Sequence, residues 1–468
     1  MTVASAWTSI CARRDRAADD YRVRMHRRRH TSTVAVVLAL CGLGALATLS
    51  PAGEARTGGT ARASSAAHLS GVNVVGLTDD PRLAEADQAI AVARQLHARV
   101  VRTELSWAVL EPRAPNQVDP RALAFTDRLV ADAAAAGMTV IATVRSTPCW
   151  DSSAPPSLLG KCSPTRLTAA NAWPPRDPAA YAAIVAYLAR RYGTRLAAIE
   201  IWNEPDQANE LYFAGPNKAQ RYAAVLRAAY PAIKQANQNV PVLAGSLVGS
   251  NGVFLRALYA AGIKGYYDGL AVHFYNLTLG SLRSIRQVQL ANGDAKPLWL
   301  DEFGWSSCWP QERIQQEQAC VTARIQAANI ANIFRSLART SYVAAEVIFQ
   351  LRDYRREDFG VVSASGAHKP AFTSLARALA SPFGNTSPVT LRLGRHRGRV
   401  VASGSGPVGD FMGLEAFKGK VLRYRALFTL DRLNRYSITL PQVLGSAGLR
   451  VRVYQYWAGP GRAAHKSI

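Results

Sequence analysis

Short apolar runs rich in Val, Ile and Leu recur along the chain from Gly71 onwards and alternate with longer amphipathic stretches. An apolar run of about four to eight residues between turn residues is typical of a buried strand, and an apolar repeat every three to four residues is typical of a helix. Helical stretches at 120–136 and 178–192 are followed by Gly137 and Gly193, where helix ends are expected. The pattern predicts eight strands, at residues 72–77, 100–105, 138–144, 198–204, 242–248, 269–275, 298–303 and 344–350.

Eight strands that alternate with helices over roughly 280 residues predict an α/β fold, a (β/α)8 TIM barrel at residues 71–382. A doubly wound open sheet is the alternative, and such a sheet usually carries a glycine-rich phosphate loop after its first strand. This chain has the sequence Thr78-Asp79-Asp80-Pro81 at that point. The barrel is therefore the favoured fold.

The pattern changes beyond about Phe383. Apolar and polar residues alternate at 389–393, 399–402, 421–425 and 449–454, with turn residues between these runs. A period of two residues is typical of strands that are buried on one face. We therefore expect a small C-terminal β-sandwich at residues 383–468, which serves as an accessory domain.

The first 55 residues have the order of a secretory leader. A basic segment at 26–30 precedes an apolar run at 34–49, and small residues follow at 51–55. Met25 is an alternative translation start, because the segment before it is long for a leader. An uncleaved membrane anchor is the other interpretation, but the apolar run is short for a membrane span. We expect cleavage of residues 1–55, a Gly/Ala/Ser/Thr-rich linker at 56–70, and a secreted protein.

Two of the six cysteines fall in the leader, and the other four form two local pairs. An even number of cysteines in an exported chain suggests disulfides. Local pairing predicts the bonds Cys149–Cys162 and Cys308–Cys320, in the loops after strands 3 and 7. A four-cysteine zinc site would need the shorter CxxC spacing, which the sequence lacks.

The formal charge of +24 is strongly basic. A basic surface favours nucleic acid, anionic lipid or acidic polysaccharide as partners, or is simply a solvated surface rich in arginine. The arginines are scattered and no nucleic-acid-binding module is recognisable. We therefore expect no nucleic-acid partner, and membrane contact only through an uncleaved leader.

Two predicted strands end on carboxylates. The run at 198–206 delivers Asn203 and Glu204 before Pro205, which cannot donate to a strand ladder. The run at 297–305 delivers Glu302 before Gly304. Hydrolysis of a glycosidic bond needs such a pair, one acid that protonates the leaving oxygen and one carboxylate that attacks or activates water.

The sequence Trp202-Asn203-Glu204-Pro205, followed two βα units later by Glu302 in the sequence DEFGW, resembles the clan A glycoside hydrolases, with families 5 and 39 nearest. The resemblance covers about residues 71–380. It implies that Glu204 is the acid/base and Glu302 the nucleophile of a retaining β-glycosidase or endoglycosidase. It further implies a polysaccharide or oligosaccharide substrate, and we expect no cofactor.

Four further residues match the clan's site. Arg102 resembles the strand-2 arginine that orients the nucleophile, although an ordinary buried ion pair is an equal alternative. Asn203 would hold the sugar 2-hydroxyl. His273 and Tyr275 resemble the strand-6 residues near the nucleophile, although a lone histidine is more often structural.

Three tryptophans are candidates for stacking on sugar rings, with packing at the barrel rim as the alternative interpretation of each: Trp107, Trp150 and Trp305. Many clan members carry a strand-8 tryptophan under the sugar, whereas this chain has Phe349 in that region. That departure affects the expected specificity. Three further acidic residues are interpreted as structural: Glu111, Glu200 and Asp301.

Two other classes of function remain open. A metal-dependent barrel hydrolase would carry a His-x-His pair after strand 1, and the sequence has none there, so we expect no metal. A non-enzymatic sugar-binding barrel would have lost one carboxylate, and both are present. We expect a monomeric enzyme.

Overall fold

The structure of the protein is a computed structural model. It describes residues 68–74, 83–249, 251–273, 275, 279–308, 320–338, 340–354, 357–380, 389–406, 412–428, 430, 435–455 and 463–468. The predicted leader at 1–55 and the linker up to residue 67 lie outside the described residues. The predicted domain boundary at 382/383 does so too.

Eight parallel strands pair in sequence order and close into a barrel, which confirms the predicted TIM barrel. Several strands end before their predicted C-terminal residue, and β4 stops three residues early at Ile201. The strands are β1 (Leu69–Asn73), β2 (Val100–Ser106), β3 (Thr139–Arg145), β4 (Leu196–Ile201), β5 (Val242–Leu247), β6 (Gly269–His273), β7 (Leu298–Phe303) and β8 (Val343–Ile348).

Strand β1 begins inside the segment predicted as linker, so the boundary at residue 70 is wrong. Leu69 already pairs with Ala345 of β8. The linker was predicted from the Gly, Ala, Ser and Thr content of residues 56–70, which does not mark the start of a strand. Gly71 is required for packing, because a Cβ atom there would lie 1.7 Å from the carbonyl oxygen of Val100.

Helices lie between the strands along the chain, and their starts follow the capping rules. Asp119 accepts hydrogen bonds from the backbone N–H groups of Arg121 and Ala122, and Asp177 caps the helix that begins at Pro178. The helices are α1 (Leu83–Gln95), α2 (Trp107–Leu110), α3 (Pro120–Ala135), α4 (Pro156–Leu159), α5 (Pro178–Tyr192), α6 (Lys218–Ala236), α7 (Val253–Ala260), α8 (Leu279–Ala291), α9 (Ala323–Leu337) and α10 (Pro370–Ala380).

The inside of the barrel changes from apolar to polar along the strands. An apolar cluster contains one or two residues from each of seven strands: Val100, Ile141, Ala198, Leu243, Ala271, Trp299, Ala345 and Val347. Two residues further along three of these strands, on the same face, stand Arg102, Thr143 and Glu200. The apolar layer therefore closes the barrel below a buried polar layer.

Two antiparallel sheets follow the barrel, as predicted for a sandwich. One sheet has the order β13-β10-β9 and the other the order β12-β11-β14-β15. Apolar residues such as Leu414, Val451 and Tyr436 form a separate core. The strands are β9 (Arg392–His396), β10 (Arg399–Ser405), β11 (Met412–Lys418), β12 (Val421–Phe428), β13 (Arg435–Thr439), β14 (Leu449–Gln455) and β15 (Ala464–Ser467).

Both predicted disulfides are present, Cys149–Cys162 after β3 and Cys308–Cys320 after β7. Among the described residues, no helix has the length and apolar character needed to cross a membrane.

Candidate active site

Polar side chains from seven of the eight barrel strands, or from the residues just after them, meet in one buried cluster at the carboxyl ends of the strands. This is the end of a TIM barrel at which active sites form. The cluster consists of Asn73, Arg102, Thr143, Glu200, Asn203, Glu204, Ser246, His273, Asp301 and Glu302, each less than 9% exposed. The cluster therefore contains five of the residues predicted from the clan resemblance, namely Arg102, Asn203, Glu204, His273 and Glu302.

Arg102 is the centre of this cluster and is fully buried. Its Nε lies 2.9 Å from Glu200 and 3.1 Å from Asp301, and one terminal nitrogen lies 2.7 Å from Glu302. The other terminal nitrogen donates to Asn203 Oδ1 at 2.8 Å. The guanidinium thus fixes the orientation of one of the two glutamates and of the amide next to the other.

The end of β4 allows two neighbouring residues, Asn203 and Glu204, to face the same side. In an extended strand, neighbouring residues such as Asn203 and Glu204 would point to opposite faces. The strand instead ends at Ile201, and Trp202 and Glu204 have positive φ angles of 71° and 45°. Such backbone is uncommon for residues other than glycine and occurs at functional sites. The strand therefore ends before Glu204, and Asn203 and Glu204 both face the cluster.

A register shift in β7 has the same effect on Asp301 and Glu302. The pairing of β7 with β8 is irregular between Leu300 and Phe303. Both carboxylates therefore contact Arg102, although they are adjacent in sequence. A similar irregularity in β5 places Ser246, with φ 56°, in contact with Arg102 and Glu200.

Glu204 is surrounded by groups that favour its neutral form. Burial first, and then the carboxylates of Asp206 and Glu104, raise the pKa of Glu204 to about 8, although Arg102 and Arg145 act in the opposite direction. The charged form of a carboxyl group is disfavoured both in a low dielectric and beside other anions. Glu204 therefore carries a proton at neutral pH. The negative charges that act on Glu204 include those of Asp206 and Glu104.

Glu302 accepts a hydrogen bond from the charged guanidinium of Arg102, whereas the donors to Glu204 are Gln207 and His273. Burial raises the pKa of Glu302, and His273 and Arg102 act in the opposite direction. Arg102 lies 2.7 Å from one carboxylate oxygen, and the Tyr275 hydroxyl donates to the other at 3.2 Å. Bonds of this kind stabilise the charged form. The two glutamates therefore differ in their tendency to hold a proton.

His273 lies between the two glutamates. Its Nδ1 is 2.6 Å from Glu204 Oε1 and 3.3 Å from Glu302 Oε2, and its Nε2 is buried without a hydrogen-bond partner among the described residues. Burial lowers the pKa of His273, so the ring is neutral. A buried N–H group without a partner costs more free energy than a buried acceptor nitrogen without one. We therefore assign the ring proton to Nδ1 and leave Nε2 as the acceptor. Neutral His273 thus donates towards both glutamates.

Glu200 and Asp301, predicted to be structural, share the charge of Arg102. Burial acts against the charge of Glu200, but Arg102 and hydrogen bonds from Asp301, Ser246 and Thr143 outweigh it and lower its pKa to about 2. Burial and the Glu200 charge raise the pKa of Asp301 well above its usual range. Asp301 is therefore the protonated member of this pair, which limits the negative charge around Arg102.

The sequence comparison identifies the family. Residues 63–334, more than half of the chain and including both glutamates, match the cellulase family, glycosyl hydrolase family 5. The chain belongs to glycosyl hydrolase family 5. The predicted resemblance to clan A is thereby confirmed, and the chain is a glycoside hydrolase with a carbohydrate substrate. No curated protein matches the sequence significantly.

Solved structures share the fold of this family 5 chain. A family 39 glycoside hydrolase from the gut symbiont Bacteroides cellulosilyticus WH2 is 18% identical with a TM-score of 0.52, over 79% of this chain and 78% of that chain. A monomeric beta-xylosidase from Caulobacter crescentus CB15 is 14% identical with a TM-score of 0.50, over 80% of this chain and 94% of that chain. At such identities the likeness concerns the fold.

The tryptophans at the mouth of this glycoside hydrolase differ in exposure. Trp107 is fully buried, with edge contacts to Trp150 and Tyr181, so it has no free face for a sugar and that prediction is wrong. Its place on a strand end suggested a rim position, but the short helix α2 directs it into the core. Trp150 and Trp305 are partly exposed and remain candidate sugar contacts.

Tyr275 belongs to a small aromatic wall beside Glu302. Its ring makes edge contacts with Phe349 and Phe359, at centroid distances of 6.0 and 5.7 Å. Phe349, which follows β8, is partly exposed. Phe349, which stands where many clan members carry a tryptophan, therefore contacts Tyr275, whose hydroxyl donates to Glu302.

Three contributors to this site, Arg145, Tyr212 and Ser246, were not predicted from the sequence. Arg145, the last residue of β3, contacts Glu104 at 2.7 Å, and its guanidinium lies 5.2 Å from the Tyr212 ring centre. Tyr212 lies in the loop after β4, where no pattern marks a functional residue. Ser246 depends on the irregularity in β5. The position of Arg145 at a strand end is the signal that was available.

Glu204, His273 and Glu302 also have the spacing of metal ligands, with one candidate ligand atom of each within 4.8 Å of the others. A metal-ligating histidine almost always donates its second ring N–H to a carboxylate, carbonyl or water. His273 Nε2 has no such protein partner among the described residues. The donor set therefore fits a metal poorly.

Proposed function

We propose that the protein is a retaining glycosidase that cleaves a polysaccharide or oligosaccharide with Glu302 as nucleophile and Glu204 as acid/base. The observation that carries this proposal is the pair of buried glutamates, which lie close together in different surroundings, Glu302 against the Arg102 guanidinium and Glu204 near the carboxyl groups of Asp206 and Glu104. One oxygen of each lies within 4.8 Å of the other. Retaining glycosidases have carboxyl groups about 5–5.5 Å apart, and inverting ones about 6.5–9.5 Å apart.

In the first step, Glu302 attacks the anomeric carbon and the bond to the leaving oxygen breaks. Arg102 and Tyr275 hold the attacking carboxylate in one orientation. Glu204 gives its proton to the leaving oxygen, which departs as a neutral hydroxyl. The pKa of about 8 keeps this proton available at neutral pH.

In the second step, Glu204 accepts a proton from water as the water oxygen attacks the anomeric carbon of the glycosyl ester, and the ester bond breaks to release Glu302 as a carboxylate. Water adds on the face that the leaving group left, so the configuration is retained. The amide of Asn203 is oriented by Arg102 through Oδ1, which directs its NH2 group to the sugar 2-hydroxyl. Neutral His273 donates to either glutamate when that glutamate is charged.

Export from the cell is the second part of the proposal. The leader pattern at 1–55 and the two disulfides support it. The amino-terminal sequence of the protein from culture medium tests it. We expect a start beyond residue 50, and protein retained in the cell with an intact leader would contradict export.

Activity on a panel of aryl β-glycosides and polysaccharides, with and without EDTA, tests the enzymatic proposal. The unmodified enzyme should act in EDTA, and Glu302→Ala should lose at least ~10³-fold in kcat. Glu415→Gln, a buried acidic residue of the sandwich, is the matched control and should keep its activity.

Loss of activity in EDTA would favour a metal-dependent hydrolase. Binding of oligosaccharides without hydrolysis, in both the unmodified and the Glu302→Ala proteins, would favour a non-enzymatic sugar-binding barrel.

A further inference from the structure

One face of the four-stranded sheet in the C-terminal sandwich is basic. Leu414, Val451 and Val453 point from β11 and β14 into the sandwich core. The alternate residues of the same sheet point to the opposite face. We call this opposite face the arginine face, and it carries Arg425, Arg450, Arg452, Glu415, Phe417, Tyr454 and His465, together with Arg423, which lies two residues before Arg425 at an irregularity in the pairing of β12 with β11.

The arginines stand in two rows on either side of β11. Arg423 and Arg425 lie on β12, and Arg450 and Arg452 lie on β14. Neighbouring strands are about 4.8 Å apart, so the two rows are roughly 10 Å apart. Arg423, Arg425 and Arg450 are exposed, and Arg452 is partly exposed. The rows therefore present their guanidinium groups to solvent.

Protein contacts hold several of these side chains in place. Arg450 and Arg452 lie over the Phe417 ring, at 5.9 and 4.9 Å from its centre. Arg425 lies 2.7 Å from Glu415. An arginine that is stacked and paired in this way loses less entropy when it binds a further anion.

The face has an excess of positive charge that the protein does not neutralise. Glu415 is the one acidic residue on β11, β12, β14 and β15, against four arginines on this face. Glu415 is 2% exposed and lies beneath the guanidinium groups. An anion in solution therefore meets the arginines and not the carboxylate.

We propose that the arginine face binds an acidic polysaccharide, one whose sugar units carry carboxylates. Charge complementarity supports an anionic occupant, because planar guanidinium groups bind carboxylates through paired hydrogen bonds. The chain belongs to a family of glycoside hydrolases, which act on carbohydrates. A glycan is therefore the polyanion that we assign to this face. The face would hold the enzyme on such a polymer while the barrel acts.

Nucleic acid fits this face less well. Single-stranded nucleic acid is held by bases that stack on exposed aromatic rings. Phe417 is covered by two arginines, and Tyr454 is 6% exposed, because its ring lies over Gly413 and its hydroxyl donates to Glu415. The aromatic residues of this face are therefore occupied within the protein.

Biolayer interferometry of the full chain tests the proposal with three immobilised polymers. These are polygalacturonate, its fully methyl-esterified form, which has the same backbone without charge, and duplex DNA. We expect binding to polygalacturonate that weakens between about 50 and about 300 mM NaCl, because screening acts on exposed charges. We expect no binding to the ester and weaker binding to DNA.

The double variant Arg423→Gln/Arg450→Gln removes two exposed charges and leaves the pairs with Glu415 intact. It should bind polygalacturonate about tenfold more weakly, which corresponds to roughly 0.7 kcal/mol for each exposed charge pair. Arg392→Gln/Arg399→Gln, from exposed positions of the three-stranded sheet, is the matched control and should change affinity less than twofold. Thermal unfolding of both variants checks that the fold is kept.

Three results would overturn the proposal: equal affinity for the ester, tighter binding to DNA than to polygalacturonate, or equal losses in the two double variants. The last result would mean that the overall charge of +24, and not this face, governs binding.

Discussion

Two ion clusters of this protein are opposites. In the barrel, one arginine, Arg102, lies among the three carboxylates of Glu200, Asp301 and Glu302. In the sandwich, one glutamate, Glu415, lies between two arginines, Arg425 and Arg452. The first cluster has an excess of acidic groups and the second an excess of basic groups.

Burial determines how each cluster handles its excess charge. Arg102 is fully buried, so excess negative charge is removed by protonation, and the pKa values of Asp301 and Glu204 are raised. The side chain of Arg425 is 61% exposed, so water solvates the excess positive charge without a change of protonation. The buried cluster produces a proton donor, and the exposed cluster produces a surface for anions.

The largest effects are expected from substitution of Arg102 and of Glu415, the central residues of the two clusters. Arg102→Met should lower the free energy of unfolding by ~3–5 kcal/mol and abolish hydrolysis, because the buried carboxylates of Glu200 and Glu302 lose their cation. Glu415→Gln should lower it by about 1 kcal/mol, since the freed arginines reach water. Urea denaturation measures both. Arg128→Met, at an exposed ion pair, is the control, with an expected loss below ~0.5 kcal/mol. Equal losses at Arg102 and Glu415 would contradict the role assigned to burial.

The proton of Glu204 is tested through the leaving group. Glu204→Ala should slow hydrolysis of alkyl glycosides and oligosaccharides by ~10²–10⁴-fold, because their leaving oxygens need a proton. Activated aryl glycosides need no acid for bond cleavage and should suffer less in that step. Azide should restore the rate with retained configuration. A uniform loss over all leaving groups would show that Glu204 does not act as the acid.

A smaller effect is expected on the pH profile of kcat/KM. The rate should fall as pH rises through about 8, where Glu204 loses its proton, and should fall at low pH as Glu302 gains one, above the usual glutamate pKa. Glu104→Gln removes an anion that raises the pKa of Glu204, so the alkaline limb should move to lower pH. Arg145→Gln removes a cation that lowers this pKa and should move the limb to higher pH. Shifts in the same direction would contradict the electrostatic assignment.

The barrel and both glutamates were predictable because they depend on local signals. Apolar runs marked the strands, and strand-ending residues such as Pro205 and Gly304 marked where Glu204 and Glu302 would emerge. A parallel barrel brings its strand ends together, so these residues could be placed in one site without knowledge of their contacts.

The missed features depend on the exact backbone path. The positive φ angles at Trp202 and Ser246 and the irregular register of β7 have no signature in composition or period. Trp107 illustrates the same limit, because one helical turn after β2 moved an expected rim residue into the core. The excess of arginine was visible in the sequence, but its collection on one sheet face required the pairing of β11 with β12 and β14.

Proton NMR of the first sugar released from a β-glycoside tests the central claim most directly. A nucleophilic Glu302 with Glu204 as acid/base predicts a β-configured product that later mutarotates, because two displacements restore the configuration. A first-formed α product from the unmodified enzyme would show a single displacement by water, and would contradict the roles assigned to both glutamates.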